Sequence, residues 1–159
     1  EMRVVLDTNV FIDAFFGTNE NCKLILRKEH NGEFNIIMSK EMNEELIRMI
    51  QSSMKKLEMS EDEEAIVYRM LMRALFRTEK IEPKIKFTKC SDKDDNMFFA
   101  CAIDGNADYI ISRDHHIHNL KNADKPILNK AKKEIKILYP DEFVFELGRI
   151  QLASSFNNK

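Results

Sequence analysis

The chain has 159 residues, 43% of them apolar and 33% charged, the make-up of one soluble domain with a heavily charged surface. Its formal net charge of −2 excludes a globally basic nucleic-acid binder, although residues 84–136 carry a local excess of +3 against −4 in residues 1–83. Cys22, Cys90 and Cys101 are odd in number and form no C-x-x-C pair, which excludes a disulfide framework or zinc knuckle and points to a reduced, cytoplasmic setting. No apolar run approaches the roughly 18–20 residues of a membrane span, so no membrane association is expected. Met2 reads as the native start, with no signal peptide ahead of the first strand.

Val4, Val5 and Leu6 form an unbroken apolar run, the pattern of a strand buried on both faces of a parallel sheet. Asp7 follows at once, and Thr8 and Asn9 are turn and cap residues ahead of Val10, Phe11 and Ile12. A carboxylate thus stands at the carboxyl end of a central strand, where open α/β sheets keep their ligand sites. Taken alone, Asp7 reads equally as a helix cap. Residues 10–16 make a short helical start ended by Gly17-Thr18-Asn19, and residues 20–31 a helix with apolar Cys22, Leu24, Ile25 and Leu26. Residues 34–38 are a second strand, and Ser39 sits where a cap should open a helix over residues 41–54. At about 100° per residue, Met42, Leu46, Met49 and Ile50 define that helix's apolar face. Glu45 lies on the edge of this face, while Glu41 and Glu44 point outward. Either an acid is being brought toward the core, or Glu45 snorkels to solvent.

Ser60-Glu61-Asp62-Glu63 is a capping-box pattern before a long helix with apolar Ile66, Val67, Met70, Leu71, Ala74 and Leu75. Its charges read as a solvated face and its methionines as core filler. Residues 78–89 are mixed; Pro83 breaks any helix, and residues 85–87 read as a short extended piece. Residues 90–103 are the second anchor, with Gly105 and Asn106 as the stop. Asp92 is the natural N-cap, and Asp95 falls on the face of Phe98, Phe99 and Ala102. Helix-dipole complementation explains Asp92 well and Asp95 less well. Residues 107–112 are a third strand, with Arg113 and then Asp114 just past its end. The run His115-His116-Ile117-His118 lacks the i,i+4 spacing of helical metal-binding histidines. Lys121, Lys125, Lys130, Lys132 and Lys133 follow in a polar, partly helical connection. Residues 135–139 are a last strand stopped by Pro140, Asp141 starts a C-terminal helix, and the tail reads as frayed from about Ser154. One domain is expected over residues 2–147, with residues 148–159 as helix end and tail.

Asp7, Glu45, Asp95 and Asp114 therefore recur where a sheet would let them converge: two after strand ends, two on the inward sides of helices. Four acids brought together without cations repel one another and lose hydration, at a cost of several kcal/mol. Such clusters usually hold Mg²⁺ or Mn²⁺ through carboxylate oxygens, and cations so held act on phosphate esters. No Gly-rich phosphate loop, Ser-His-Asp set or dinucleotide fingerprint competes.

The opening Val-Val-Leu-Asp-Thr-Asn-Val-Phe, the Asp-x-x-Asp-Asn-x-Phe at 92–98 and the Ala-Asp-Tyr-Ile-Ile-Ser-x-Asp at 107–114 together resemble a PIN domain. The resemblance runs from Met2 to about Leu147. It implies a three-layer α/β/α fold with a central parallel sheet, and a metal-dependent endoribonuclease. It further implies Mg²⁺ or Mn²⁺ at Asp7, Glu45, Asp95 and Asp114, with Asn9, Asp92 and Ser112 in support. Many relatives are toxins paired with a small antitoxin protein, and a homodimer is implied in the same way. Two positions depart from the pattern: His116 stands where relatives often carry a further Asp, and Arg113 where they often carry Gly. Arg113, Lys93 and Lys121 are the candidate phosphate contacts. The alternative is a non-catalytic PIN-like module that binds RNA or a partner, which the presence of all four acids argues against. A haloacid-type phosphatase would need an acid where Asn9 stands. A receiver domain would need its phosphorylated Asp at a later strand end.

Overall fold

Five strands, β1 (Arg3–Leu6), β2 (Asn35–Ser39), β3 (Glu79–Ile81), β4 (Tyr109–Ile111) and β5 (Lys136–Leu138), form one sheet in the order β3-β2-β1-β4-β5. Every pairing is parallel, with Val4 opposite Ile36 on one side and Leu6 opposite Ile111 on the other. The structure is a computed structural model and describes residues 1–122 and 125–158. Helices α1 (Thr8–Phe15), α2 (Glu20–His30), α3 (Lys40–Lys56), α4 (Glu61–Arg77), α5 (Asn96–Asp104), α6 (His115–His118) and α7 (Pro140–Asn157) flank the sheet. This is the three-layer α/β/α arrangement expected from the sequence. α5 crosses β1, β2 and β4, while α1 packs on α2 and α3, and α2 on α7. Past their half-buried first residues Arg3 and Asn35, β1 and β2 are buried, with Val4, Val5 and Leu6 at 1% exposure or less, as parallel strands covered on both faces must be.

Local sequence explains most helix starts. Asn19 accepts the Cys22 N–H at 3.0 Å, Ser39 the Met42 N–H at 3.3 Å, and Ser60 and Glu63 close a reciprocal capping box. α3 buries Met42, Leu46, Ile50 and Met54, a stripe of period four, and leaves Met49 half-buried. α4 buries Val67, Leu71, Ala74 and Leu75, while Ile66 is 59% exposed and Met70, expected as core filler, is 40% exposed. The helix packs by one side only, so apolar residues on its flanks have nothing to pack against.

β3 lies at Glu79–Ile81, ahead of the extended piece expected at residues 85–87, which forms no strand. Arg3 donates to both Glu79 oxygens at 2.7 and 3.0 Å and so pins this edge strand from two strands away. Past Asn119–Asn122, a 3-10 turn, the described residues of the lysine-rich connection are not helical. Leu128 and Glu134 form an isolated bridge, and Asn129 accepts the N–H groups of Ala131 and Lys133. Ala123 and Asp124 of that connection, and Lys159 of the tail, lie outside the described residues. Pro140 is the first residue of α7, whose fixed φ suits that position, and the helix runs past Ser154 to Asn157. Cys22, Cys90 and Cys101 are free and buried. Among the described residues no helix is long and apolar enough to cross a membrane.

The strand order places the site. From β1 the chain proceeds outward to β2 and β3, then returns to the other flank for β4 and β5. The carboxyl ends of β1 and β4 therefore border the crevice where the order reverses, the usual ligand position in open α/β sheets.

Candidate active site

Asp7 is the residue after β1 and Ser112 the residue after β4, one step beyond the Leu6–Ile111 register. The Asp7 N–H donates to the Ile111 carbonyl at 2.9 Å, so Asp7 is held by the last rung between the two strands. The Ser112 hydroxyl donates to Asp7 Oδ2 at 2.7 Å and accepts the Asp114 N–H at 2.9 Å. One hydroxyl thus ties two of the acids together. The Ser112 carbonyl lies 2.7 Å from His118 Nε2, which must donate there, and the His118 ring stacks on Tyr139 at 3.6 Å. Asp114 caps the short α6, its Oδ1 accepting the His116 N–H at 2.9 Å. On the other side, Thr8 Oγ1 donates to Glu45 Oε2 at 2.6 Å, which anchors the half-buried edge acid of α3. Asp92 caps the 3-10 turn Lys93–Asp95, and Asp95 stands where that turn passes into α5.

The acids feel one another. Burial pushes the Asp7 carboxyl up to about 6; the Ser112 hydroxyl and the Asn9 N–H oppose that rise, and Asp114 and Glu45 add to it. Burial likewise pushes Asp95 up to about 7, with Asp7, Asp114, Asp92 and Glu45 all contributing repulsion. Cys90 lies beside the same field, raised to about 12 by burial first and then by Asp95, Asp92 and Asp114. Asp95 Oδ2 is buried and has no hydrogen-bond partner among the described residues. A buried carboxylate oxygen without a donor is costly unless a cation meets it. The donor set is hard oxygen throughout, which suits Mg²⁺ or Mn²⁺, and these residues fit such an ion. Asp114, His115 and His116 are the one group of three possible ligands mutually within 4.8 Å among the described residues. No three of Asp7, Glu45, Asp95 and Asp114 offer ligand atoms that close to one another.

The remaining expected residues divide. Asn9 is exposed and serves Asp7 through its backbone N–H. Lys93 is exposed on the turn, with no ion pair among the described residues. Arg113 is half exposed and paired with Asp13 of α1, which also accepts from Thr18 Oγ1. Lys121 stands 3.9 Å from Glu142 and 5.2 Å from the Tyr139 ring centroid. Thr8 and His118 were missed by sequence reasoning. Thr8 is visible as the neighbour of Asp7, whereas nothing in the spacing of the histidine run singles out His118.

A profile of the PIN domain matches residues 3–116, from β1 into α6, a span that contains Asp7, Glu45, Asp95 and Asp114. No curated protein matches the chain significantly. PIN domains are generally nucleases and typically use divalent metal ions, in keeping with the acid cluster at this sheet's switch point. On that match and that fold, the chain belongs to the PIN domain family.

Proposed function

We propose that this protein is a metal-dependent endoribonuclease, with Asp7, Glu45, Asp95 and Asp114 holding Mg²⁺ or Mn²⁺. The observation that carries the reading is the electrostatic coupling of these acids around a buried Asp95 oxygen with no donor. When bound, such a cation lowers the pKa of water and neutralises charge on a phosphodiester. The chain's own part is orientation. Ser112 and the Asn9 N–H fix the Asp7 carboxylate, the Asp114 N–H is tied to the same hydroxyl, and Thr8 fixes Glu45. His118 holds the Ser112 backbone from behind, so the set is preorganised by contacts that the substrate does not make.

The test is cleavage of single-stranded RNA and single-stranded DNA with Mg²⁺, with Mn²⁺ and with chelator, using wild type, Asp7→Asn and Asp95→Asn. Metal-dependent cleavage of RNA that both substitutions abolish is the expected result. RNA cleavage by Asp7→Asn at the wild-type rate would overturn the site assignment. Absence of both cleavage and metal binding would favour the non-catalytic module. A toxin role with a small antitoxin partner is a narrower form of the proposal. It is checked by growth arrest on expression of wild type but not of Asp7→Asn.

A further inference from the structure

After β3, residues 82–88 form no strand and bend at Ile85, and exposure along residues 81–88 alternates. Ile81, Pro83, Ile85 and Phe87 are half-buried, while Glu82, Lys84, Lys86 and Thr88 are exposed. Period-two alternation lays one side of the chain on the protein and presents the other to solvent. The inner side is fastened at two points. Phe87 stacks on Phe99 of α5 at 4.7 Å, and Asp104 Oδ2 accepts the N–H groups of Lys84 and Ile85 at 2.5 and 3.1 Å. Lys84 and Lys86 therefore project to solvent from a tethered backbone, on either side of the bend at Ile85.

This strap forms one wall of an open cleft of about 1300 Å³. The opposite wall is the start of α3, with Arg48 and Glu45, and Lys93 and Asn96 border the end nearest the acids. The cleft thus meets the acid cluster at Glu45. Arg48, Lys84, Lys86 and Lys93 make no ion pair among the described residues, whereas Lys40 stands 3.9 Å from Glu44. Acids line the cleft as well, Glu41, Glu82 and Asp94 among them, so no net-charge reading of the chain exposes these four cations.

We infer that this cleft is the track of the substrate: a single strand of RNA passes Glu45 and runs between α3 and the 81–88 strap, its phosphates held by Arg48, Lys84, Lys86 and Lys93. The inference rests on the reading of the acid cluster as an RNA-cleaving centre. Cations from both the strap and α3 can hold one sugar-phosphate backbone between them. Arg113 and Lys121 are paired with Asp13 and Glu142, whereas the four cleft cations have no ion pair among the described residues.

The experiment is fluorescence anisotropy of a labelled oligouridylate in chelator, where binding is read without cleavage, across a salt titration. Lys84→Ala/Lys86→Ala should weaken binding about tenfold and reduce the log–log salt slope by about 1.4, two single-strand contacts at roughly 0.7 each. Arg48→Ala should lose about half as much slope. Lys55→Ala/Lys56→Ala removes the same charge from the exposed far end of α3 and should leave both quantities unchanged. In cleavage assays the cleft variants should raise KM with kcat nearly constant. Equal loss in the control pair, no loss in the cleft variants, no binding by wild type, or equal displacement by polyglutamate would each overturn the track. Cleft-dependent binding by a wild type that cleaves nothing would instead sink the nuclease reading and leave the track standing.

Discussion

Replacing Asp7 by Asn should stabilise the metal-free protein at neutral pH, although it removes the acid at the centre of the site. Asp7 is only 5% exposed, and its carboxyl is raised from 3.8 to about 6, chiefly by burial. The folded state therefore binds this proton more tightly than the unfolded chain does. The resulting contribution to stability is fully present below about pH 4 and is lost as pH rises through about 6. A shift of about two units corresponds to about 3 kcal/mol of destabilisation at pH 7.5, at 1.36 kcal/mol per unit. Asn keeps the volume, and its carbonyl oxygen can still accept from Ser112, but the bonds to Ser112 and the Asn9 N–H weaken when the acceptor is neutral. The expected net gain is about 1–3 kcal/mol, or about 2–10 °C in Tm for a chain of this size. Thermal melts in chelator from about pH 4 to 8 would show a gap between variant and wild type that opens across pH 4–7 and is flat above. Added Mg²⁺ or Mn²⁺ should then raise the Tm of wild type more than that of Asp7→Asn. A variant that melts below wild type at pH 7.5 in chelator, or a gap independent of pH, would show that Asp7 is not held at a cost.

Three further substitutions test the frame around the site. Glu29 is buried on α2 and accepts three hydrogen bonds from Arg77 of α4 at 2.9–3.1 Å, so Arg77→Ala should cost about 3 kcal/mol by stranding a buried charge, read by urea melts. Glu29→Gln with Arg77→Ala should recover part of that loss. A Cβ on Gly105 would lie 2.5 Å from Ile37 Cδ1 and 2.7 Å from the Cys101 carbonyl. Gly105→Ala should therefore destabilise by about 1–3 kcal/mol; an unchanged midpoint would mean that the β2–α5 contact is looser than described. His118→Phe keeps a ring against Tyr139 but strands the Ser112 carbonyl. It should cost about 1–2 kcal/mol and lower kcat more than it raises KM, and a kcat equal to wild type would remove His118 from the positioning set.

What the sequence made legible is what short-range periodicity encodes. The apolar runs of β1 and β4, the caps at Ser39 and Ser60, the edge position of Glu45 and the acids after two strand ends are all local patterns, and each is where it was expected. β3 was not legible because two of its three residues are charged and its place depends on Arg3, 76 residues earlier. The exposed side of α4 was not legible either, because helical periodicity gives the direction of a side chain and not whether a neighbour stands there. The pairing of Arg113 with Asp13 was not legible because the two lie 100 residues apart, and the alternation of the 81–88 strap is the same whether it pairs in a sheet or merely lies over α5. Each miss is a partner chosen by topology.

The same topology explains why the costly part of the molecule is tolerated. The β1–β4 crevice concentrates Asp7 and Asp114 on adjacent strand ends, while Asp95 and Glu45 come from helices that cannot retreat. α5 is packed across three strands, and Glu45 is held by Thr8. The acids cannot relax apart to relieve their repulsion, so protonation and cation binding are the two remaining outlets. Between about pH 6 and 8 protonation fades for Asp7 and Asp95, and the demand for a cation rises as it does so. Metal affinity should therefore climb steeply across that interval in wild type and more shallowly in Asp95→Asn, as read by calorimetric titration with Mn²⁺ at stepped pH. Equal slopes in the two proteins would mean that Asp95 does not share the ion.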